Sequence, residues 1–301
     1  MNSCTRKTGR SREDLAILRV KGVRAMQWVD RMNRVIEYLE AHLADEIDPA
    51  EISRMMACPY SVFQRSFAPV TGIQLSEYVR RRRLSCAAYD LQNTNHRVLD
   101  IAVKYGYDSA DAFAAAFKRM HGIAPQEART AGAVLKFHTR LRFTFMIAGV
   151  DEMNYRLLHR EAFDVLGIRR TTPYGGGTWG IVKEDGTAQL LQEIAGHSCD
   201  LGLCFGFDDE GNNDYMCGIS YAGEDRAGFD RFHCPSAAWL VFTAKGAISD
   251  GVLGQIWKRI YGEFMPQSEC RQLDLPTIEQ YVEWDAARDS CHVDIFIPVQ
   301  G

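Results

Sequence analysis

Residues able to do chemistry are unevenly spread along this chain. Arg80, Arg81, Arg82 and Arg83 form a run covering a full helical turn, and clustered guanidinium groups suit contact with phosphate. The competing reading is a solvated helix face with arginine stems lying over apolar surface. The order of a nucleophile and base (Ser-His-Asp or Cys-His) is missing, and His233 and His292 fall in strand-like runs. Nine cysteines, at 4, 58, 86, 199, 204, 217, 234, 270 and 291, are odd in number and contain no CxxC pair. They suit reduced thiols better than a disulfide or zinc framework. Tyr174-Gly175-Gly176-Gly177-Thr178 lacks the Lys-Ser/Thr that completes a phosphate loop, so it reads as a turn. Neither a metal nor a cofactor is expected.

These residues sit in two halves of opposite charge. Residues 1–142 carry 23 Lys and Arg against 15 Asp and Glu, a net of +8; residues 143–301 carry 12 against 24, a net of −12. A chain of 301 residues, 46% apolar, has room for two folded domains at ~100–200 residues each. The charge split points to a basic domain facing a polyanion and an acidic domain facing something else. No run of about 18 uncharged apolar residues occurs, and a stretch such as 143–150 is far too short to cross a bilayer. Arg6, Lys7, Arg10 and Arg12 lead into Glu13-Asp14 instead of an apolar signal core. A cytoplasmic protein with no membrane partner is expected.

The basic half reads as short helices. Residues 25–43 place Met26, Val29, Met32, Val35, Ile36, Leu39 and Leu43 at helical spacing. Asp48 as N-cap, Pro49 in the first turn and Glu51 at the capping-box position start a helix over 49–56, which Ala57-Cys58-Pro59 breaks. A helix over 60–70 buries Phe63 and Phe67 and turns Ser61, Gln64 and Arg65 to the opposite side. The arrangement recurs: Phe63/Phe113, Phe67/Phe117, Gly72/Gly122 and Ile73/Ile123 are each 50 residues apart. An unbroken helix over 75–91 separates two units with helix-turn-helix character, as two readers of successive major-groove segments require.

Residues 26–130 resemble the DNA-binding domain of the AraC/XylS transcription-regulator family. The carrying segments are SVFQRSFAPVTGIQLSEYVRRRRLSCAAYDL at 61–91 and IAVKYGYDSADAFAAAFKRMHGIAPQEAR at 101–129. The resemblance implies that Ser61, Gln64 and Arg65 face base edges, with Gln suited to adenine and Arg to guanine. It places Ser109 at the cap of the second reader, and Asp111, Ala112 and Ala115 along it. Ala115 stands where a polar or basic reader is usual, so this unit is expected to read thymine methyls or to clamp the backbone through Lys118 and Arg119. Within a linker helix, Arg80, Arg81, Arg82 and Arg83 are expected to meet phosphates.

The acidic half changes rhythm. Strand-like runs at 154–159, 162–170, 201–207, 215–221, 229–234, 237–244, 277–281 and 292–299 alternate with helices at 179–194 and 248–264. Strand, strand, helix, strand, strand occurs twice, which predicts two related α+β halves around an antiparallel sheet. The order is similar to the GyrI-like effector-binding domain, on Val165-Leu166-Gly167-Ile168-Arg169-Arg170, Phe264-Met265-Pro266-x-Ser268, Pro276-x-x-Glu279-x-Tyr281 and residues 294–299. That resemblance implies a groove holding an organic, often cationic ligand against aromatics and an acid. Trp179, Phe207, Tyr215, Tyr221, Trp257, Tyr261, Phe264 and Tyr281 are the candidate aromatics, and Glu263, Glu279 and Asp294 the candidate acids.

The expected organisation is a basic tail (1–24), an all-α tandem helix-turn-helix domain (25–130), a connector (131–153) whose Leu135, Phe137, Leu141, Phe143, Phe145 and Ile147 pack on a neighbour, and an α+β GyrI-like domain (154–301). The expected function is a one-component regulator, not an enzyme. Its partners would be double-stranded promoter DNA, a small-molecule effector and RNA polymerase, with the chain a monomer or a homodimer. The alternative is a small-molecule hydrolase fused to a DNA-binding domain.

Overall fold

The computed structural model describes residues 12–144, 153–173, 175–208 and 210–301. Among the described residues the basic half holds six α-helices, α1 (Arg12–Ala41), α2 (Pro49–Met56), α3 (Tyr60–Thr71), α4 (Leu75–Asn93), α5 (Val98–Lys104) and α6 (Ala110–His121), followed by a 3-10 turn at Glu127–Arg129. α1 starts well before the expected boundary at residue 25; residues 1–11 of the basic tail lie outside the described residues. Asp48 caps α2 by accepting from the Ala50 amide at 2.8 Å, and Ser109 caps α6 through the Ala112 amide at 3.1 Å. Glu51 pairs with Arg54 at 2.6 Å instead of closing a capping box. Gly72 and Gly122 end the two reader helices at φ 80° and 86°, a left-handed geometry that glycine adopts without strain.

The 50-residue repeat becomes two cores. Phe63 and Phe67 pack with Leu39, Ile52 and Tyr78, while Phe113 and Phe117 pack with Leu84, Leu91 and Ile101. α4 contributes to both and so fixes their spacing. The connector is fastened to them: Leu141 and Phe143 pack on the first core, Leu135 on the second, and Asn33 exchanges two 2.9 Å hydrogen bonds with the Phe143 backbone. Phe137 is exposed, its ring 5.3 Å from the Arg82 guanidinium. Phe145 and Ile147 lie outside the described residues.

The acidic half contains β1 (Tyr155–Arg160), β2 (Phe163–Thr172), α7 (Gly175–Glu184), α8 (Thr187–Ala195), β3 (Leu201–Phe207), β4 (Asn213–Ser220), β5 (Asp230–Cys234), β6 (Ala237–Gly246), α9 (Val252–Arg259), a π-helical turn (Ile260–Phe264), β7 (Thr277–Asp285) and β8 (Ser290–Val299). All eight strands join one sheet in the order β1-β6-β8-β7-β3-β4-β2-β5, antiparallel throughout. Exchanging the halves maps this order onto itself, with β1 and β5 each adding to the edge of the other half. The helix expected over 179–194 breaks in two near Gly186, whose φ is 82°. The helix expected over 248–264 turns from α to π at Ile260, which moves the following side chains out of α-helical phase.

Candidate functional site

The two pseudo-halves meet at β3 and β7, and a cavity with a volume of about 1020 Å³ opens beside this seam. Glu279 on β7 points into it and takes three hydrogen bonds from aromatic donors. The Trp257 indole N–H donates to Oε1 at 2.8 Å, and the Tyr215 and Tyr281 hydroxyls donate to Oε2 at 2.7 and 2.9 Å. Among the described residues no basic side chain pairs with this carboxylate. Burial, then the charge of Glu279, pushes both phenols well above the ordinary tyrosine range, so they persist as donors.

Alternation along the strands builds this cluster. Glu279 and Tyr281 are two apart on β7 and share a face, and Tyr215 reaches them from β4 across β3. The residue between is Gly202, the cross-strand partner of Glu279; a Cβ there would overlap the Tyr215 phenol. Aromatic rings form the walls. Trp179 meets Tyr281 edge-on at 5.1 Å, Trp257 stacks on Tyr261 at 5.7 Å, and Phe207 and Trp284 extend the lining. Lys183 stands over the Trp179 ring at 5.7 Å. Cys204 also lines the cavity; burial pushes its thiol up to about 12, and it donates to Asn213.

Four of the expected ligand residues are elsewhere. Glu263 is on the exposed side of the π turn, paired with Arg259 at 3.2 Å, and Phe264 packs on Phe242 and Tyr155. Asp294 pairs in register with Gln280, the residue between Glu279 and Tyr281, and therefore faces the other side of the sheet, where Thr243 and Arg156 bond it. Tyr221 packs under α8.

The remaining wall of the cavity comes from the helical domain. Arg65, Ala68 and Pro69 of α3, with Gln74 beyond it, line the opening. Arg65 is only 5% exposed and donates from Nη1 to the Phe205 carbonyl at 2.5 Å and from Nη2 to the Leu275 carbonyl at 3.0 Å. Gln64 is buried, Ser61 bonds Asp274, and α3 packs against β3, α9 and the π turn. The expectation of a first reader helix open to solvent is thus corrected: its polar face is covered by the second domain. The second reader is open instead, with Ser109, Asp111, Ala112, Ala115, Lys118 and Arg119 all exposed.

The arginine run is corrected as well. Arg82 is buried and bidentate on Glu40 at 2.7 and 2.8 Å, and it also bonds the His138 carbonyl. Burial opposes the charge of Glu40, but hydrogen bonds from Arg82 and Tyr78 prevail and hold its carboxyl below the usual range. Arg83 donates to the Leu43 and Asp45 carbonyls at 2.9 and 3.1 Å. These two brace α4 against the end of α1 and are not available to phosphate. Arg80, exposed, and Arg81, half-buried, share Glu77.

A helix-turn-helix domain family matches residues 52–131, and a GyrI-like small molecule binding domain family matches residues 153–300. The transcriptional activator AarP of Providencia stuartii is 37% identical over 94 residues, 31% of this chain and 70% of AarP. The chain belongs to the AraC-type helix-turn-helix transcription regulators. This AraC-type regulator is also 33% identical over 169 residues to an uncharacterized HTH-type transcriptional regulator, YbfP, of Bacillus subtilis; the match covers 56% of this chain and about half, 55%, of YbfP. A solved transcriptional regulator with an AraC-type DNA-binding domain, from Chromobacterium violaceum, is 22% identical over 33% of this chain and 89% of its own, with a TM-score of 0.31. No helix among the described residues of the regulator is long and apolar enough to cross a membrane.

Proposed function

We propose that the protein is a one-component regulator that binds promoter DNA through its tandem helix-turn-helix units and senses an organic cation with aromatic character in the cavity around Glu279. The observation that carries this reading is a carboxylate ringed by three neutral aromatic donors and without a basic partner among the described residues. Such a site compensates a ligand cation electrostatically while the ring faces hold its apolar body. It acts in the cytoplasm by binding and not by turnover: Glu279 is engaged by three aromatic donors, and Glu263 lies outside the cavity, paired with Arg259. Contact with RNA polymerase is the proposed output.

Intrinsic fluorescence of Trp179 and Trp257 reports occupancy. Titration with lipophilic aromatic cations, isosteric neutral compounds and anions should show saturable quenching for the cations, and Glu279→Gln should abolish that preference. Equal binding of all three classes by the wild type would defeat the charge reading, and enzyme-dependent conversion of a bound compound would defeat the purely sensory one.

A further inference from the structure

Arg65 belongs to two sites. By its place on α3 it is the residue of the first reader best suited to a base edge, yet both of its terminal nitrogens are held by carbonyls of the other domain, and its Nε is buried without a hydrogen-bond partner. Around it, Ser61 bonds Asp274, Val70 packs into the cluster beneath α9, and Arg24 pairs with Glu269 at 2.7 Å. A helix held this way cannot lie in a major groove about 12 Å wide. α6 is under no such restraint, and two-unit binding requires both helices to be free.

We propose that α3 is the lid of the effector cavity, so that effector binding and base reading by the first unit compete for the same helix and for Arg65. A ligand touching both walls stabilises the docked arrangement, because undocking removes part of its contacts. The cavity volume of about 1020 Å³ takes a ligand of ordinary size without displacing α3, since such sites run to ~300–1,000 Å³. Occupancy therefore reinforces docking and leaves DNA only α6. By linkage, DNA engaged by both units weakens the effector to the same degree. The ligand half of this proposal rests on the cavity being the effector site; the docking half does not.

The test uses the full-length protein, a duplex that it selects from a random-sequence pool, and benzyltriphenylphosphonium as the cation. Saturating cation should lower duplex affinity by roughly 10-fold or more, within the usual span of allosteric coupling, and shorten the hydroxyl-radical footprint from two major-groove segments to one. Saturating duplex should weaken the cation by the same factor. Without any ligand, Asp274→Ala combined with Glu269→Gln removes the Ser61 acceptor and the Arg24 partner from the far side of the interface and should raise duplex affinity several-fold above a charge-matched Glu161→Gln, Glu224→Gln control. A bound cation that leaves duplex affinity unchanged or raises it overturns the proposal. So does a two-segment footprint at full occupancy, or a docking variant no different from the control. Failure of the cation to bind counts against the effector reading of the preceding section, and the ligand-free comparison then decides the lid by itself.

Discussion

Tyr215 reaches Glu279 only because Gly202 has no side chain. The two strands that carry them are separated by β3, and the phenol passes over Gly202 to place its hydroxyl 2.7 Å from the carboxylate. Gly202→Ala should expel the ring. The expected result is a stability loss of about 1–3 kcal/mol by overpacking, read in chemical denaturation, with weaker cation binding in the fluorescence titration.

The buried phenols make a prediction about alkaline stability. Burial beside the Glu279 carboxylate raises Tyr215 and Tyr281 well above the ordinary tyrosine value of about 10, so the native state keeps protons that the unfolded chain releases. Their contribution is full below pH 10 and is lost as pH rises above it, by about 1.4 kcal/mol per pH unit for each phenol that stays protonated. Urea midpoints between pH 9 and pH 11 should fall more steeply for the wild type than for Tyr215→Phe.

Arg82 should behave as a structural residue. Its pair with Glu40 is largely buried, and Arg82→Ala leaves that carboxylate without its charge partner, at a cost of about 3–5 kcal/mol. Replacing both residues with leucine should cost less than Arg82→Ala alone. Thermal melts of the three variants check the order; an Arg82→Ala melt equal to the wild type would contradict it.

The open face of α6 predicts a uniform effect on DNA. Lys118→Ala should weaken cognate and scrambled duplexes by similar factors and reduce the slope of log affinity against log salt by about 1. Binding isotherms at several salt concentrations measure both quantities. A loss confined to the cognate duplex would make Lys118 a base reader.

Local pattern carried much of this architecture. Helical spacing and the 50-residue repeat set out Phe63, Phe67, Phe113 and Phe117 as paired cores, and all four are fully buried. Strand-like runs placed the eight strands within a few residues of where they lie. These features follow from neighbours along the chain, which sequence displays directly. Tertiary structure alone decided the rest. Which of four adjacent arginines turns inward depends on Glu40 and on the end of α1, both some forty residues away. Whether Asp294 or Glu279 lines the cavity depends on strand register. Glu263, two residues after Tyr261 on one helical turn, faces away from the cavity toward Arg259, and Gly202 joined the site because a ring from another strand needed its space. The face of α3 bearing Ser61, Gln64 and Arg65 has the polarity of a solvent-exposed reader, and the same donors bond the carbonyls and carboxylate of a neighbouring domain equally well. Polarity along a helix specifies that hydrogen-bond partners are needed; only the packing of the two domains determines that Phe205, Asp274 and Leu275 supply them.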